Sequence, residues 1–347
     1  MLRRVSLISV FWFSAIATIA LFGVVGFGLG ASALVTMLTL TMLEIAFSLD
    51  NAVINATVLQ KMSLFWQRMF MTVGIIIAVF GMRLLFPLVL VSVTAGIDFT
   101  SAIVLALQHP AEYSIKLAQA EPMIATFGGL FLLMIFLSFV LDSRRKFPWR
   151  TFLKRTLKKL NRWHTTEIFI AALVLGALIA TSAQQMRFAV AIAGLLGISA
   201  HLVVGVLADA FSTRQPKRIG GMSWHQGLIL FLYLELLDAS FSFDSVIGAF
   251  AVTTNALLIA AGLGAGALWV RSITIYAVRR GVLAHYPYLD GGAHFAIGAL
   301  AVMLLLSIHI TLPDALTGGI GLLIILTSFL ASIWKNRQVA RAAKSGV

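Results

Sequence analysis

EIAFSLDNAVINATV, Glu44 to Val58, puts a glutamate, an aspartate and two asparagines inside an apolar run from Ala31 to Leu59. No lysine or arginine accompanies them in that run. ELLDASFSFDSVIGAF, Glu235 to Phe250, repeats the oddity in the second half of the chain. Whether such runs are core helices or membrane spans is decided by the rest of the sequence.

The 347 residues are 60% hydrophobic and only 11% charged, with a mean hydropathy of +0.98. A soluble domain is nearer half apolar and a quarter charged. Long unbroken apolar runs also lack the alternation of a membrane barrel. The expected fold class is therefore an all-α polytopic membrane protein. The absence of cysteine excludes disulfides, thiolate metal sites and cysteine nucleophiles. The net charge of +13 does not indicate nucleic acid, because the basic residues sit at the ends of apolar runs, where they orient a membrane protein. Arg3 and Arg4 precede an apolar run, Val5 to Gly30, that is too long for a usual signal core, and it is read as a retained first span.

Ten spans are expected, at 6–29, 31–59, 69–93, 122–141, 167–184, 188–209, 223–253, 255–278, 292–311 and 315–334. The second and seventh exceed the usual length of about 20 residues. Each carries an acidic stretch, so each is expected to bend or break. Residues 142–166 hold nine Lys or Arg. Lys61, Arg68, Arg214, Lys217, Arg218, Arg279, Arg280 and the tail from Lys335 fall on the same side when the N-terminus is inside. The positive-inside rule then puts both termini in the cytoplasm. The expected organisation is first-repeat core helices over 1–141, a basic cytoplasmic loop over 142–166 and a fifth helix over 167–184. A second, inverted repeat follows over 185–334, with a basic tail over 335–347.

The inversion follows from aligning the halves. At one constant spacing Thr41 pairs with Glu235, Glu44 with Asp238, Ser48 with Ser242, Asp50 with Asp244 and Asn51 with Ser245. Each motif precedes a span with one arginine, Arg83 or Arg271. Five spans per half turn the second half over in the membrane, giving two inverted five-helix repeats, a recurring plan of secondary transporters.

A carboxylate at bilayer depth costs about 2.5–3.5 kcal/mol on insertion scales. Glu44, Asp50, Glu235, Asp238 and Asp244 must be protonated, paired or balanced by a cation. Pairing with Arg83 and Arg271 as structural ion pairs is one reading, but two guanidiniums cannot neutralise five carboxylates. At about 100° per residue, Thr41, Glu44, Ser48, Asn51 and Asn55 form one oxygen-rich stripe, and Glu235, Asp238, Ser242 and Ser245 form another. Asp50 and Asp244 lie about 120° off the stripes, so a break near Ser48 or Ser242 is needed to bring them to the same centre. If the two helices cross, the stripes face one another. Carboxylate, hydroxyl and amide oxygens suit Mn²⁺, Mg²⁺ or Ca²⁺. His294, in a glycine-rich helix start, is a further candidate ligand or proton acceptor, with a backbone-bonded interfacial histidine as the alternative. His201 and His309 are expected to make polar contacts. Gly128, Gly129 and Gly298 are expected at close helix contacts, and the GVVGFGLG run, Gly23 to Gly30, is read as packing because it lacks the lysine of a phosphate loop.

EIAFSLDNAV and DASFSFDSVIGAF, with FGGLFLLMIFL (Phe127 to Leu137) and GGAHFAIGAL (Gly291 to Leu300), resemble the TerC family, named for tellurium resistance. That family has been grouped with the LysE exporter superfamily, and its bacterial members are linked to Mn²⁺ export. The resemblance implies a Mn²⁺ exporter whose acidic motif residues are Glu44, Asp50, Asn51, Asp238 and Asp244. The expected function is a divalent-cation transporter of the bacterial inner membrane, coupled to protons, with no resident cofactor and no enzymatic activity. Expected partners are the metal ion, protons and lipid, and a homo-oligomer is compatible with them. A membrane scaffold of an envelope or tellurium-stress complex and an intramembrane aspartyl enzyme stand as alternatives.

Overall fold

A computed structural model of the chain describes residues 7–141, 163–213, 224–253, 255–281, 285–310, 312 and 314–345. Every regular element among them is helical, because a chain in hydrocarbon has to satisfy its backbone hydrogen bonds within itself. In chain order these are α1 (Leu7–Leu29), α2 (Ala31–Phe47), α3 (Leu49–Leu59) and α4 (Leu64–Ile76), followed by a π-helical segment (Ile77–Leu85). Then come α5 (Phe86–Ala95), α6 (Phe99–Gln108), α7 (Pro110–Leu141), α8 (Trp163–Thr181) and α9 (Arg187–Thr213). The last four are α10 (Trp224–Val252), α11 (Ala256–Arg279), α12 (Leu289–Ser307) and α13 (Asp314–Ser345).

Among the described residues seven helices are long and apolar enough to cross a membrane, or eight when the bent pair α2–α3 is counted as one span. The protein is thus a multi-pass helical membrane protein. The basic segment 142–162 lies outside the described residues. Across the basic residues after Lys335, α13 carries on to Ser345. Its Ala, Arg, Lys and Gln are all good helix formers. The fourth apolar segment also starts earlier than expected, at Pro110, and α6 precedes it as a short additional helix. Asp98 caps α6 by accepting hydrogen bonds from Ser101 and Thr100, which hold its carboxyl below the usual range.

The central element is α7, whose Leu130–Ile135 run is buried against α9, α10 and α12. Close approach of α12 depends on two of the expected glycines: a methyl group at Gly129 would lie 2.8 Å from Leu305 Cγ, and one at Gly298 2.7 Å from Phe136 Cγ. Gly128 has only ordinary contacts. The Gly23–Gly30 run is mostly open space. Gly26 alone meets Leu34, and Gly30 has φ of 85°, a left-handed turn between α1 and α2 that a side chain would strain. On the periphery α1 turns Trp12, Ile16, Ile19 and Phe27 outward, the surface expected to meet lipid tails. Its inner side is held to α11 by Ser14, bonded to Leu268 O and Ser272, and by Trp269 bonded to Thr18.

Candidate functional site

The first acidic stretch is broken where its serine falls. Helix α2 ends at Phe47, Ser48 sits at φ −100° and ψ 11°, and α3 departs at 55°. Ser48 N–H still donates to Glu44 O, and its hydroxyl donates to Glu44 Oε1 at 2.9 Å. The second stretch differs, because α10 runs unbroken from Trp224 to Val252. The bend at Ser48 therefore has no counterpart at Ser242.

Glu44 is 1% exposed and pairs with Arg83 at 2.5 Å through Nη2. Arg83 stands in the π-helical segment, and its Nη1 donates to Ala78 O five residues back at 2.8 Å. The pairing is incomplete: Glu44 Oε2 has no donor and Arg83 Nε has no acceptor. Further along the stripe, Thr41 bonds Met37 O and Gly262 O, Asn51 is buried, and Asn55 is buried with Oδ1 lacking a donor.

In the second cluster, Arg271 donates from Nη1 and Nη2 to the two carboxylate oxygens of Glu235, each at 3.1 Å, and from Nη2 to Asp238 at 3.0 Å. Its guanidinium lies 4.0 Å from the centre of the Phe70 ring and also bonds Phe70 O. All three charged groups are buried. Two carboxylates share one guanidinium, so the cluster carries one excess negative charge when both are ionised. A proton or a cation has to offset it at that depth.

The two clusters interlock through glycines. A methyl group at Gly266 on α11, the Arg271 helix, would lie 2.6 Å from Glu44 Cγ. A methyl group at Gly74 on α4, which continues into the Arg83 segment, would overlap Arg271 Nη1 and Glu235 Oε1. Each acidic helix is thus pressed against the arginine-bearing helix of the other half. The carboxylates of Glu44, Glu235 and Asp238 pair with the arginines, and among the described residues no ion pair joins the two clusters.

The side chains of Asp50, Ser242 and Asp244 lie outside the described residues. Ser245 is buried on α10. His294 on α12 bonds Asp290 O through Nδ1 at 2.7 Å and stacks on Phe139, the backbone-bonded arrangement set beside ligation as its alternative. His201 and His309 make polar contacts, to Ser138 and Thr181. Among the described residues no three His, Asp or Glu side chains come together to hold a metal ion. Sequence reasoning left the arginine pairing open, and it did not single out Gly74, Gly266 or the π-helical turn. The run GLGAGALWVR (Gly262 to Arg271) is the one signal that a tight helix contact precedes an arginine.

Fold and site define a multi-pass membrane protein with two buried acid–arginine clusters on sequence-related helices. Residues 49–339 match the family described as protein of unknown function DUF475, and the chain belongs to that family. No curated protein and no solved structure matches it.

Proposed function

We propose that this chain is a secondary transporter of divalent cations, specifically a Mn²⁺ exporter of the bacterial inner membrane that exchanges metal for protons. The proposal includes ten spans in two inverted five-helix repeats with both termini in the cytoplasm. The observation that carries it is the duplicated acid–arginine cluster, buried on two related helices. The reciprocal glycine contacts, Gly266 on Glu44 and Gly74 on Glu235, support the repeat. The likeness of the acidic stretches to the TerC family supports the metal.

The arginines act as resident counter-charges. A divalent cation entering the first cluster finds Glu44 Oε2 without a donor, so one coordinating oxygen is offered before any bond breaks. Displacing Arg83 from Oε1 supplies the second. Ser48, Asn51 and Asn55 add hard oxygen donors along the stripe, with Asp50 just past the bend. In the second half Glu235, Asp238, Ser242 and Asp244 form the corresponding set, and the excess charge there favours loading. His294 is kept as a proton acceptor beside these ligands. Moving each positive charge out against a membrane potential costs about 2.3 kcal/mol per 100 mV. The sequence carries no phosphate-loop motif, so protons entering down their gradient are the coupling.

The test is flux in liposomes holding the purified protein, with Mn²⁺, Ca²⁺, Mg²⁺, Zn²⁺ and Fe²⁺ offered in turn across an imposed proton gradient. Mn²⁺ movement that alkalinises or acidifies the lumen in step with metal flux is expected. Absence of flux for every metal removes the proposal. One observation favours a second reading, a structural scaffold: each described carboxylate of the clusters already has a guanidinium partner. A scaffold keeps its function when Glu44 and Arg83 are replaced together by neutral residues, whereas a transporter loses flux.

A further inference from the structure

Ser138 on α7 lies between two titratable groups from neighbouring helices. Its Oγ is 2.7 Å from Glu167 Oε2 on α8 and 3.1 Å from His201 Nε2 on α9. Glu167 is buried at 4% exposure. The edge of the Phe131–His201 pair and the Phe131–Tyr233 contact close the apolar side. None of these residues touches the acid–arginine clusters through a hydrogen bond or ion pair shown above.

We propose that Glu167, Ser138 and His201 form a part-buried proton-exchange site, separate from the cation clusters. A hydroxyl has one proton and two lone pairs, so Ser138 can donate to one neighbour only while accepting from the other. Of the arrangements that satisfy it, two hold the same number of protons, and a third, with neutral His201 protonated on Nε2 and Glu167 ionised, holds one fewer. In the first, imidazolium His201 donates Nε2–H to Ser138, and Ser138 donates to ionised Glu167. In the second, protonated Glu167 donates to Ser138, and Ser138 donates to the Nε2 lone pair of neutral His201. Passing from the first to the second moves the Nε2 proton to Ser138 Oγ and the Ser138 proton to Glu167 Oε2. No proton is gained or lost, and a charged pair becomes a neutral one. The order also separates this site from a nucleophilic triad, in which the acid orients the imidazole and the imidazole activates the serine. Here the serine is the bridge.

Described titratable groups on the packed helices include Tyr233 on α10, against Phe131, and His294 with Asp290 on α12, where His294 stacks on Phe139, the residue after Ser138. They contribute a phenol and a second imidazole near the site, without a hydrogen bond to Ser138. Sequence places the site where α7 leads into the basic segment 142–162, the side proposed to face the cytoplasm. Its role as the proton half of the exchange rests on the transport proposal. Its protonation does not.

The test uses full-length protein in detergent without metal, following the histidine ring signals by NMR, with His201→Gln assigning the His201 signal. His201 is expected to titrate between about pH 5 and 9. Glu167→Gln removes the bridged carboxylate, so the His201 midpoint is expected to move by about one unit, a tenfold change in proton affinity. Ser138→Ala keeps both titratable groups but removes the bridge and is also expected to move the midpoint, which carries the test should Glu167→Gln fail to fold. A His201 midpoint unmoved by both substitutions, or no titration in that range, overturns the site. In liposomes Ser138→Ala is expected to flatten the pH dependence of Mn²⁺ flux with Mn²⁺ affinity unchanged. If the unaltered protein moves no metal, the transport proposal fails, and the titration alone decides this one.

Discussion

Among the described residues Arg83 meets one carboxylate, whereas Arg271 meets two. That difference of one charge sets what each residue substitution does. Glu44→Gln leaves a buried guanidinium unpaired, and Arg83→Gln leaves a buried carboxylate unpaired. Either is expected to cost about 3–5 kcal/mol. The double replacement removes both charges and is expected to recover most of that loss, measured as melting temperature in detergent across the four proteins of the cycle. Recovery of stability without recovery of flux is the signature of a transporter. Gly74 gives a second residue-scale test. Gly74→Ala drives a methyl into the Arg271–Glu235 contact and is expected to cost about 1–3 kcal/mol, while Gly28→Ala, facing open space, is expected to leave the melting temperature unchanged or slightly raised.

At the scale of elements, the bend between α2 and α3 separates the two halves more than their sequences do. Glu44 closes α2, Ser48 is the joint, and Asp50 opens α3. The second half places Asp238 and Asp244 on one continuous α10. A bent helix leaves backbone groups near its joint available to a ligand, the arrangement secondary transporters use for ions. Asp50→Asn and Asp244→Asn are each expected to abolish Mn²⁺ flux in liposomes while the protein still inserts and melts normally, because asparagine keeps size and one acceptor oxygen but removes the charge that offsets cation dehydration. Stable mutants with normal flux would place the cation elsewhere. Mutants that melt early, and lose flux only in proportion to the folded protein left, would make the two aspartates structural.

For the molecule as a whole, the distribution of basic residues predicts an orientation. A cysteine introduced at Thr156 is clean to label, because the chain has no cysteine of its own. The expected outcome is protection from an impermeant thiol reagent in intact cells and labelling once the cells are opened. Labelling from outside would invert the topology, and with it the direction of transport. The same basic segment follows α7, the most buried of the spans, so the helix at the centre of the packing also leads to the proposed proton site.

Hydropathy made the membrane class and the helical segments legible in the sequence, because an apolar run of span length has few other stable forms in a bilayer. The acidic stretches and the two arginines were legible as well, since charges are conspicuous where almost none are tolerated. Their pairing was not. Glu44 lies far from Arg83 along the chain, and only the packing of α2 against α11 and the π-helical turn sets their distance. Nor did the matching motifs reveal that one helix bends and the other does not. That depends on what surrounds Ser48 in space, and the local sequence is nearly the same in both halves. Ser138, Glu167 and His201 were the least visible, a serine, a carboxylate and an imidazole on three separate helices. Each is unremarkable on its own helix, and a hydrogen-bonded bridge exists only where α7, α8 and α9 meet.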